Sequence, residues 1–246
     1  MLSKEEKERY SRQLILKEIG PFGQKKLKNG KVLVIGAGGL GSPAILELAA
    51  AGIGTLGIAD FDTVELSNLN RQFLHNTNDI GKPKVLSAKE KIGLLDPGIK
   101  VIKHGERIEK NNIMGIIAGY DIVLDCSDNF ETKYLINDTC IRLRKTFVHG
   151  AVSRFTGQLF TVKNGTGPCL RCVFREPPPK EVEFTCHGMG ILGSVAAVIG
   201  SLQATEAIKC LLEKGDLLTG RLIIVEALDM QVRTVAFKKD PACTCK

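Results

Sequence analysis

Gly36, Gly38 and Gly41 have G-x-G-x-x-G spacing within KVLVIGAGGLG at 31–41, with Gly39 between them. The apolar run Val32, Leu33, Val34, Ile35 precedes them and a helix-compatible stretch, Ser42 to Ala51, follows. Strand, glycine turn and helix in that order suit a phosphate-cradling loop, because glycines admit a tight turn and the helix N-terminus presents unpaired N–H groups to anionic oxygens. The spacing alone does not choose between a dinucleotide and ATP. Nineteen residues past Gly41, the next strand delivers Asp60, which can hydrogen-bond a ribose hydroxyl in either case. The residues after it tip the reading toward ATP. Arg71 and Lys84 can neutralise phosphate oxygens and Asp128 can hold a magnesium ion, a set that chemistry at phosphorus needs and hydride transfer does not. An NAD site ringed by ordinary surface charges stays open on spacing grounds.

The elements that must position these groups are legible in outline. Residues 3–18 predict an amphipathic helix with Ser3 as N-cap and Glu6 three places on, ending near Gly20-Pro21, with Arg9 and Arg12 on one face. Strands are expected at Val32–Ile35, Thr55–Ala59, Lys100–Lys103, Ile122–Leu124 and Thr146–Val148, separated by helices at 42–51, from Gly81-Lys82-Pro83-Lys84, with Pro83 in the first turn, to about Leu95, at 110–118 and at 130–142. Asp125-Cys126-Ser127-Asp128-Asn129 follows a strand, where open parallel sheets bind ligands. The pattern then changes to short alternating strands at Gly157–Val162, Arg221–Val225 and Val232–Phe237, with a proline-rich exposed loop at 177–179 and a long helix from about Gly188 to Leu212. The expected class is α/β: a Rossmann-like, mostly parallel sheet flanked by helices and continued by antiparallel strands in the C-terminal part.

With 246 residues, one sizeable domain is expected. The net charge of +7 is carried by basic residues interleaved with acidic ones, as in Lys4-Glu5-Glu6-Lys7-Glu8-Arg9, so a nucleic-acid partner is not expected. The charged start lacks a secretory leader, and the apolar stretch Ile191–Leu212 carries Gln203, Glu206 and Lys209, so a buried or interface helix is expected rather than a membrane span. Eight cysteines in a chain of this kind point to metal or thiol chemistry in the cytoplasm.

GAGGLGS at 36–42, Asp60 and Asp62, Ser67-Asn68-Leu69-Asn70-Arg71-Gln72, Gly81-Lys82-Pro83-Lys84, Asp125-Cys126-Ser127-Asp128-Asn129, Cys169-x-x-Cys172 and Gly200-Ser201-Leu202-Gln203-Ala204-x-Glu206 occur here in one order. Together they resemble the ThiF/MoeB/HesA adenylyltransferases, relatives of the ubiquitin-activating enzymes. The resemblance runs from Arg9-Tyr10-Ser11-Arg12-Gln13 to the terminal cysteines. It implies ATP-dependent adenylation of the C-terminal Gly-Gly carboxylate of a ubiquitin-fold sulfur-carrier protein, releasing pyrophosphate, in thiamine or molybdenum-cofactor biosynthesis. Asp128 resembles the family's magnesium ligand, Asp60 its ribose ligand, and Arg71, Gln72 and Lys84 its phosphate-handling residues. Asp62, Asn68 and Asn70 fall in the same nucleotide-binding motifs. Arg12 resembles an arginine that the partner subunit contributes across a homodimer. One domain is then expected over 1–246, comprising an N-terminal helical arm (1–30), a nucleotide-binding half (31–150) and a carrier- and zinc-binding half (151–246).

Cys169 and Cys172 with Cys243 and Cys245 can supply four thiols for a closed structural zinc site, with a redox pair or unliganded thiols as the other readings of the same residues. The family's tail usually has C-x-x-C, and the C-x-C here is one residue shorter. Cys186, in Phe184-Thr185-Cys186-His187-Gly188 at the mouth of the long helix, lies where thiazole-pathway members use a cysteine for a covalent link to the carrier. Molybdopterin-pathway members need adenylation alone. Cys126, Cys140 and Cys210 are expected to be packing groups, and His75, His104 and His149 have no ligand spacing. The sequence stops one residue past Cys245, so no rhodanese-like extension is expected and sulfur would come from another protein, such as a cysteine desulfurase. Three other readings remain: an NAD-dependent oxidoreductase, a non-catalytic nucleotide scaffold, and an adenylating enzyme acting on a tRNA-linked or peptide carboxylate.

Overall fold

A computed structural model describes residues 2–163, 167–177, 190–243 and 245. Cys186 and His187 lie outside the described residues. The parallel strands are β1 (Lys31–Ile35), β2 (Thr55–Ala59), β3 (Lys100–His104), β4 (Ile122–Asp125) and the first part of β5 (Thr146–Ser153). Antiparallel strands β6 (Thr156–Val162), β7 (Arg221–Glu226) and β8 (Gln231–Ala236) extend them. The order across the eight-stranded sheet is β3-β2-β1-β4-β5-β6-β7-β8. β1 therefore pairs with β2 on one side and β4 on the other, and the chain reverses direction across the sheet between β1 and β4. Open α/β sheets leave a crevice at such a switch point, outside the carboxyl ends of the strands.

Alternation along β1 separates two cores. Val32 and Val34 face one layer with Leu27, Ile45, Leu48, Ile92 and Ile199, which come from α3 (Gly20–Asn29), α4 (Gly41–Ala50), α5 (Lys84–Leu95) and the long helix described below. Leu33 and Ile35 face the other, with Ile117 of α6 (Ile113–Ala118), Ile136 of α7 (Phe130–Arg142), Leu170 of α8 (Leu170–Val173), Phe147 and Phe160. The central strands are buried on both faces, which is why they read as continuous apolar runs rather than alternating ones.

The long helix is α9 (Gly193–Leu212). It is long and apolar enough to cross a membrane, but half of its most apolar stretch is buried against α4, β5 and β6. Its polar groups are spent inside the body: Gln203 Nε2 donates to the carbonyls of Asp125 (2.8 Å) and Val148 (3.1 Å), and Glu206 Oε2 accepts from Thr161 Oγ1 (2.6 Å) and Leu218 N (2.8 Å). It is the core helix of this fold.

The N-terminal arm departs from the single helix expected over 3–18. Ser3 does cap α1 (Lys4–Arg9), its Oγ accepting from Glu6 N at 3.0 Å while Glu6 accepts from Ser3 N at 2.7 Å. The chain then breaks at Tyr10, and only Ser11–Leu14 (α2) continues as helix. The cause is the Tyr10 ring, which is buried against Gly52 and donates its hydroxyl to Asp96, so the backbone turns to seat it. Gly20-Pro21, expected to end a helix, instead opens α3, because proline needs no N–H at a first helical turn.

Candidate functional site

The glycine loop leaves β1 at Gly36, whose φ of +97° few side chains tolerate. A Cβ there would lie 2.5 Å from the Cys126 carbonyl oxygen, and one at Gly41 would lie 1.9 Å from the Gly36 carbonyl oxygen. The loop is thus closed on itself and pressed against the end of β4. A Cβ at Gly38 would meet, among the described residues, only Gln72 Nε2, at 3.6 Å, whereas one at Gly39 would lie 3.3 Å from Ala196 Cβ and 3.6 Å from Arg71 Cγ. α4 follows with no side-chain cap at Leu40; Ser42 N donates to Gly38 O at 2.8 Å, Ala44 N to Leu40 O at 3.4 Å and Pro43 has no N–H, so in this first turn the Gly41 N–H is left for an anion. Two buried polar atoms at this loop have no partner, Ser42 Oγ and Gln72 Oε1. Such orphans beside an open glycine surface fit a polar ligand, and with the helix terminus they fit a phosphate chain.

Asp60, at the end of β2, accepts from Ala37 N (2.7 Å) and Asp62 N (2.9 Å). Burial pushes its carboxyl above the usual range, against the pull of Lys84 and these bonds. His75 holds Ala37 through its other peptide group, Nε2 facing the Ala37 carbonyl at 3.2 Å and Nδ1 facing Ser87 Oγ at 2.8 Å. Lys84, at the start of α5, is buried and pairs with Asp62 at 3.0 Å. Asn68 sits in a short 3-10 turn (Leu66–Asn68), its Oδ1 accepting from Glu65 N at 3.2 Å. Arg71 is half-buried and donates to Ser67 O and Asn70 Oδ1, both at 3.0 Å. Gly193 brings the start of α9 to this segment, where a Cβ would lie 2.7 Å from Asn70 O. Asp128 is exposed beyond β4, beside Asn129 Nδ2 at 3.4 Å.

The carboxyl ends of β1, β2 and β4 thus bring together the glycines, Asp60, Asp62, Asn68, Asn70, Arg71, Gln72, Lys84 and Asp128. Arg12 is exposed on α2, which packs mainly on α1 and α3, and among the described residues no hydrogen bond ties it to the loop.

The sequence places Asp125 with Asp128 on the ligand side and gives no role to Lys133 or His149, whereas the structure pairs these three inside the body. Asp125 is fully buried, with Lys133 Nζ 3.3 Å from each carboxylate oxygen and His149 Nδ1 2.8 Å from Oδ2. Burial alone would raise the Asp125 carboxyl, but the Lys133 charge and the bonds from His149 and Ser127 outweigh it and hold it at about 2. His149 is itself pushed down by burial and donates as a neutral imidazole. A signal for Lys133 was present: residues 133, 136, 137 and 140 repeat at helical spacing, and Ile136, Asn137 and Cys140 are all buried with it.

At the far end of α7, Cys169 Sγ lies 3.9 Å from Cys172 Sγ and 3.6 Å from Cys243 Sγ, a spacing at which three sulfurs can share one metal ion. Cys245 adjoins them, but its thiol faces Asp138 Oδ1 at 3.4 Å and takes a bond from Asn137 Nδ2 at 3.3 Å. Burial pushes the Cys243 thiol to about 11. Cys126 and Cys140 are buried packing groups.

His75, His104 and His149 are all held below 6.5 by burial. The unfolded chain therefore binds more protons than the native one as pH falls through that value, and stability is lost on acidification. The melting temperature is expected to drop between about pH 7.5 and about pH 5.5, and a flat profile would contradict the burial of these rings. The Asp125 contribution follows lower, present above its ordinary 3.8 and lost as pH approaches 2.

A mostly parallel sheet with a glycine loop at its switch point, where such folds bind ligands, defines an α/β protein of the nucleotide-binding type. A family model described as ThiF family matches residues 10–245. The chain is 43% identical over 246 residues to the sulfur carrier protein adenylyltransferase of Thermus thermophilus, covering 98% of this chain and 91% of that one. It is 45% identical over 245 residues to the probable adenylyltransferase/sulfurtransferase MoeZ of Mycobacterium tuberculosis and 46% over 236 residues to the adenylyltransferase and sulfurtransferase MOCS3 of Drosophila sechellia. It spans 62% and 52% of those two relatives. Escherichia coli MccB, solved with ATP, superposes with a TM-score of 0.85 at 23% identity, over 96% of this chain and 74% of that one, a likeness of fold. The chain belongs to the ThiF family and is an adenylyltransferase of that family.

Proposed function

We propose that the protein activates the C-terminal Gly-Gly carboxylate of a ubiquitin-fold sulfur-carrier protein with ATP. A carboxylate oxygen of the carrier attacks the α-phosphorus, the bond to the β-phosphate oxygen breaks, and pyrophosphate leaves, giving an acyl-adenylate. The observation that carries this reading is the gathering of Arg71, Lys84 and Asp128 around one glycine loop at the switch point. Cations and a metal-holding carboxylate stabilise charge that moves between phosphate oxygens.

In this reading the glycine loop and the Gly41 N–H at the start of α4 hold the phosphates, and Asp60 and Asp62 face the ribose side. Gln72 and Lys84 orient phosphate oxygens. Asp60 is already engaged with Ala37 N and Asp62 N, so its remaining lone pairs would take a ribose hydroxyl. Asp128 would hold magnesium, which neutralises phosphate charge when bound. Arg12 would complete the site of a partner subunit in a homodimer. Residues 31–150 form the nucleotide half and 151–246 the carrier- and zinc-binding half. The protein would work in the cytoplasm, with sulfur supplied by a separate donor such as a cysteine desulfurase. Cys186 would act after adenylation if the carrier belongs to a thiazole pathway.

Cys169, Cys172, Cys243 and Cys245 would hold zinc, which when bound cross-links the C-terminal tail to α8. Chelation is expected to release about one zinc per chain and to lower the melting temperature, with the four thiols becoming reactive together. A metal-free preparation with unchanged melting and thiol reactivity would refute the clip.

ATP–pyrophosphate exchange, measured with Gly-Gly-tailed carriers one at a time and with Cys186→Ala in parallel, tests the whole reading. Exchange dependent on one carrier names the substrate. No exchange with any carrier, by protein shown to bind ATP, rejects it in favour of a small-molecule or peptide carboxylate.

A further inference from the structure

Asp128 is exposed, yet the turn that presents it is anchored more heavily than any catalytic contact of its own requires. Ser127 donates to Asp125 Oδ1 twice, from N at 3.2 Å and from Oγ at 2.6 Å, so the Asp125 carboxylate bends the chain immediately before Asp128. That carboxylate is fixed from two other elements. Lys133 on α7 reaches both oxygens at 3.3 Å and also donates to Gly150 O at 2.7 Å, and His149, the register partner of Asp125 on β5, donates at 2.8 Å. Gln203 on α9 fixes the Asp125 main-chain carbonyl. On its outer side the turn abuts Gly36, where no Cβ would fit beside Cys126 O.

We infer that Lys133 and His149 are positioning residues, which act through Asp125 to hold the 125–128 turn, and with it the Asp128 carboxylate, in register with the glycine loop. The inference rests on the reading of Asp128 as the magnesium carboxylate. A fully buried carboxylate is tolerated only with its charge and lone pairs matched. Without Lys133 it is left uncompensated, and the short way to relieve it is for the turn to open toward water, which moves residue 128. Asp125 with Lys133 carries no net charge and His149 is neutral, so the set adds little field at Asp128. Its effect is on geometry, and geometry here is metal affinity.

The test uses the full chain and reads ATP binding by calorimetry as magnesium is raised, so it does not depend on turnover or on a carrier. Lys133→Met is expected to raise the magnesium concentration for half-effect by about 10- to 100-fold, while metal-free ATP binding stays within about twofold. Lys133→Arg, which keeps charge and donors, should recover most of the loss. His149→Leu should shift the same quantity by about tenfold, the lower end of that range, and His149→Asn, which keeps a donor near the Nδ1 position, should restore it. A purely structural role lowers melting temperature but leaves the magnesium dependence of the folded fraction unmoved. Folded Lys133→Met with wild-type magnesium dependence overturns the inference. If Lys133→Met does not fold, equal magnesium dependence in His149→Leu and His149→Asn overturns it. Asp128→Asn is the internal reference: no shift in that variant defeats the magnesium reading itself, whereas a shift there without one at Lys133 or His149 defeats only the positioning role.

Discussion

Asp128→Ala is expected to lower ATP–pyrophosphate exchange by about a thousandfold or more, a loss of roughly 4 kcal/mol of transition-state stabilisation. The fold should scarcely notice. Asp128 is exposed and its neighbouring side-chain contact is a 3.4 Å approach from Asn129, so its removal should change stability by no more than about 0.5 kcal/mol. This separation of effects is what makes the variant informative. The buried carboxylate three residues earlier, Asp125, cannot be removed without stranding Lys133, so activity lost in Asp125→Ala would be confounded with unfolding. Melting temperature and exchange rate measured on one preparation check the prediction, and normal exchange would sink the assignment of Asp128 as the metal carboxylate.

The parts of the site legible in the sequence are those whose chemistry depends on short chain intervals. The glycine spacing works because Gly36 and Gly41 must meet within one turn, and the loop does close at that point. Strand Thr55–Ala59 and helix 130–142 match the elements expected, because a doubly buried strand and an amphipathic helix each impose a local pattern. The antiparallel extension was readable too, since β7 and β8 are joined by a short hairpin. β5 proved longer than its first three residues, because the part beyond Val148 pairs antiparallel with β6 and so depends on a strand not yet met in the chain.

What could not be read depends on tertiary partners. Tyr10 breaks the N-terminal helix because Gly52 and Asp96, more than forty residues away, make a seat for its ring. Nothing within 3–18 announces that seat. Lys133 was readable as a residue on an apolar helix face, but its partner Asp125 was assigned to the ligand side of the strand end. Only the register of β4 with β5 shows that this carboxylate points inward, to His149. The same holds at the thiols. The expected set does bring Cys243 to Cys169 and Cys172, whereas the turning of the Cys245 thiol toward Asn137 and Asp138 on α7 depends on residues more than a hundred positions away. Helix α7 therefore runs from the 125–128 turn to the cysteine cluster, with Asn129 capping one end beside Asp128 and Asn137 and Asp138 meeting Cys245 near the other.

Arg12 gives the second large effect expected, and in the proposed homodimer it is one that a single chain cannot display. Arg12→Ala should reduce exchange by about a hundredfold or more, as expected for loss of a cation placed against phosphate charge. The variant should fold normally, since Arg12 is exposed on α2 and Tyr10, not Arg12, anchors the arm. If each site draws Arg12 from one subunit and Asp128 from the other, a heterodimer of Arg12→Ala with Asp128→Ala has one site with both defects and one with neither. Random reassociation of equal amounts makes about half the dimers mixed, so about a quarter of wild-type activity should return, from two preparations that are each nearly inactive. With both residues drawn from the same subunit, every site carries one defect and no activity returns. Mixed dimers isolated through two different affinity tags remove the uncertainty of reassociation. Their half-maximal exchange would place Arg12 in the partner's site, and their inactivity would exclude it.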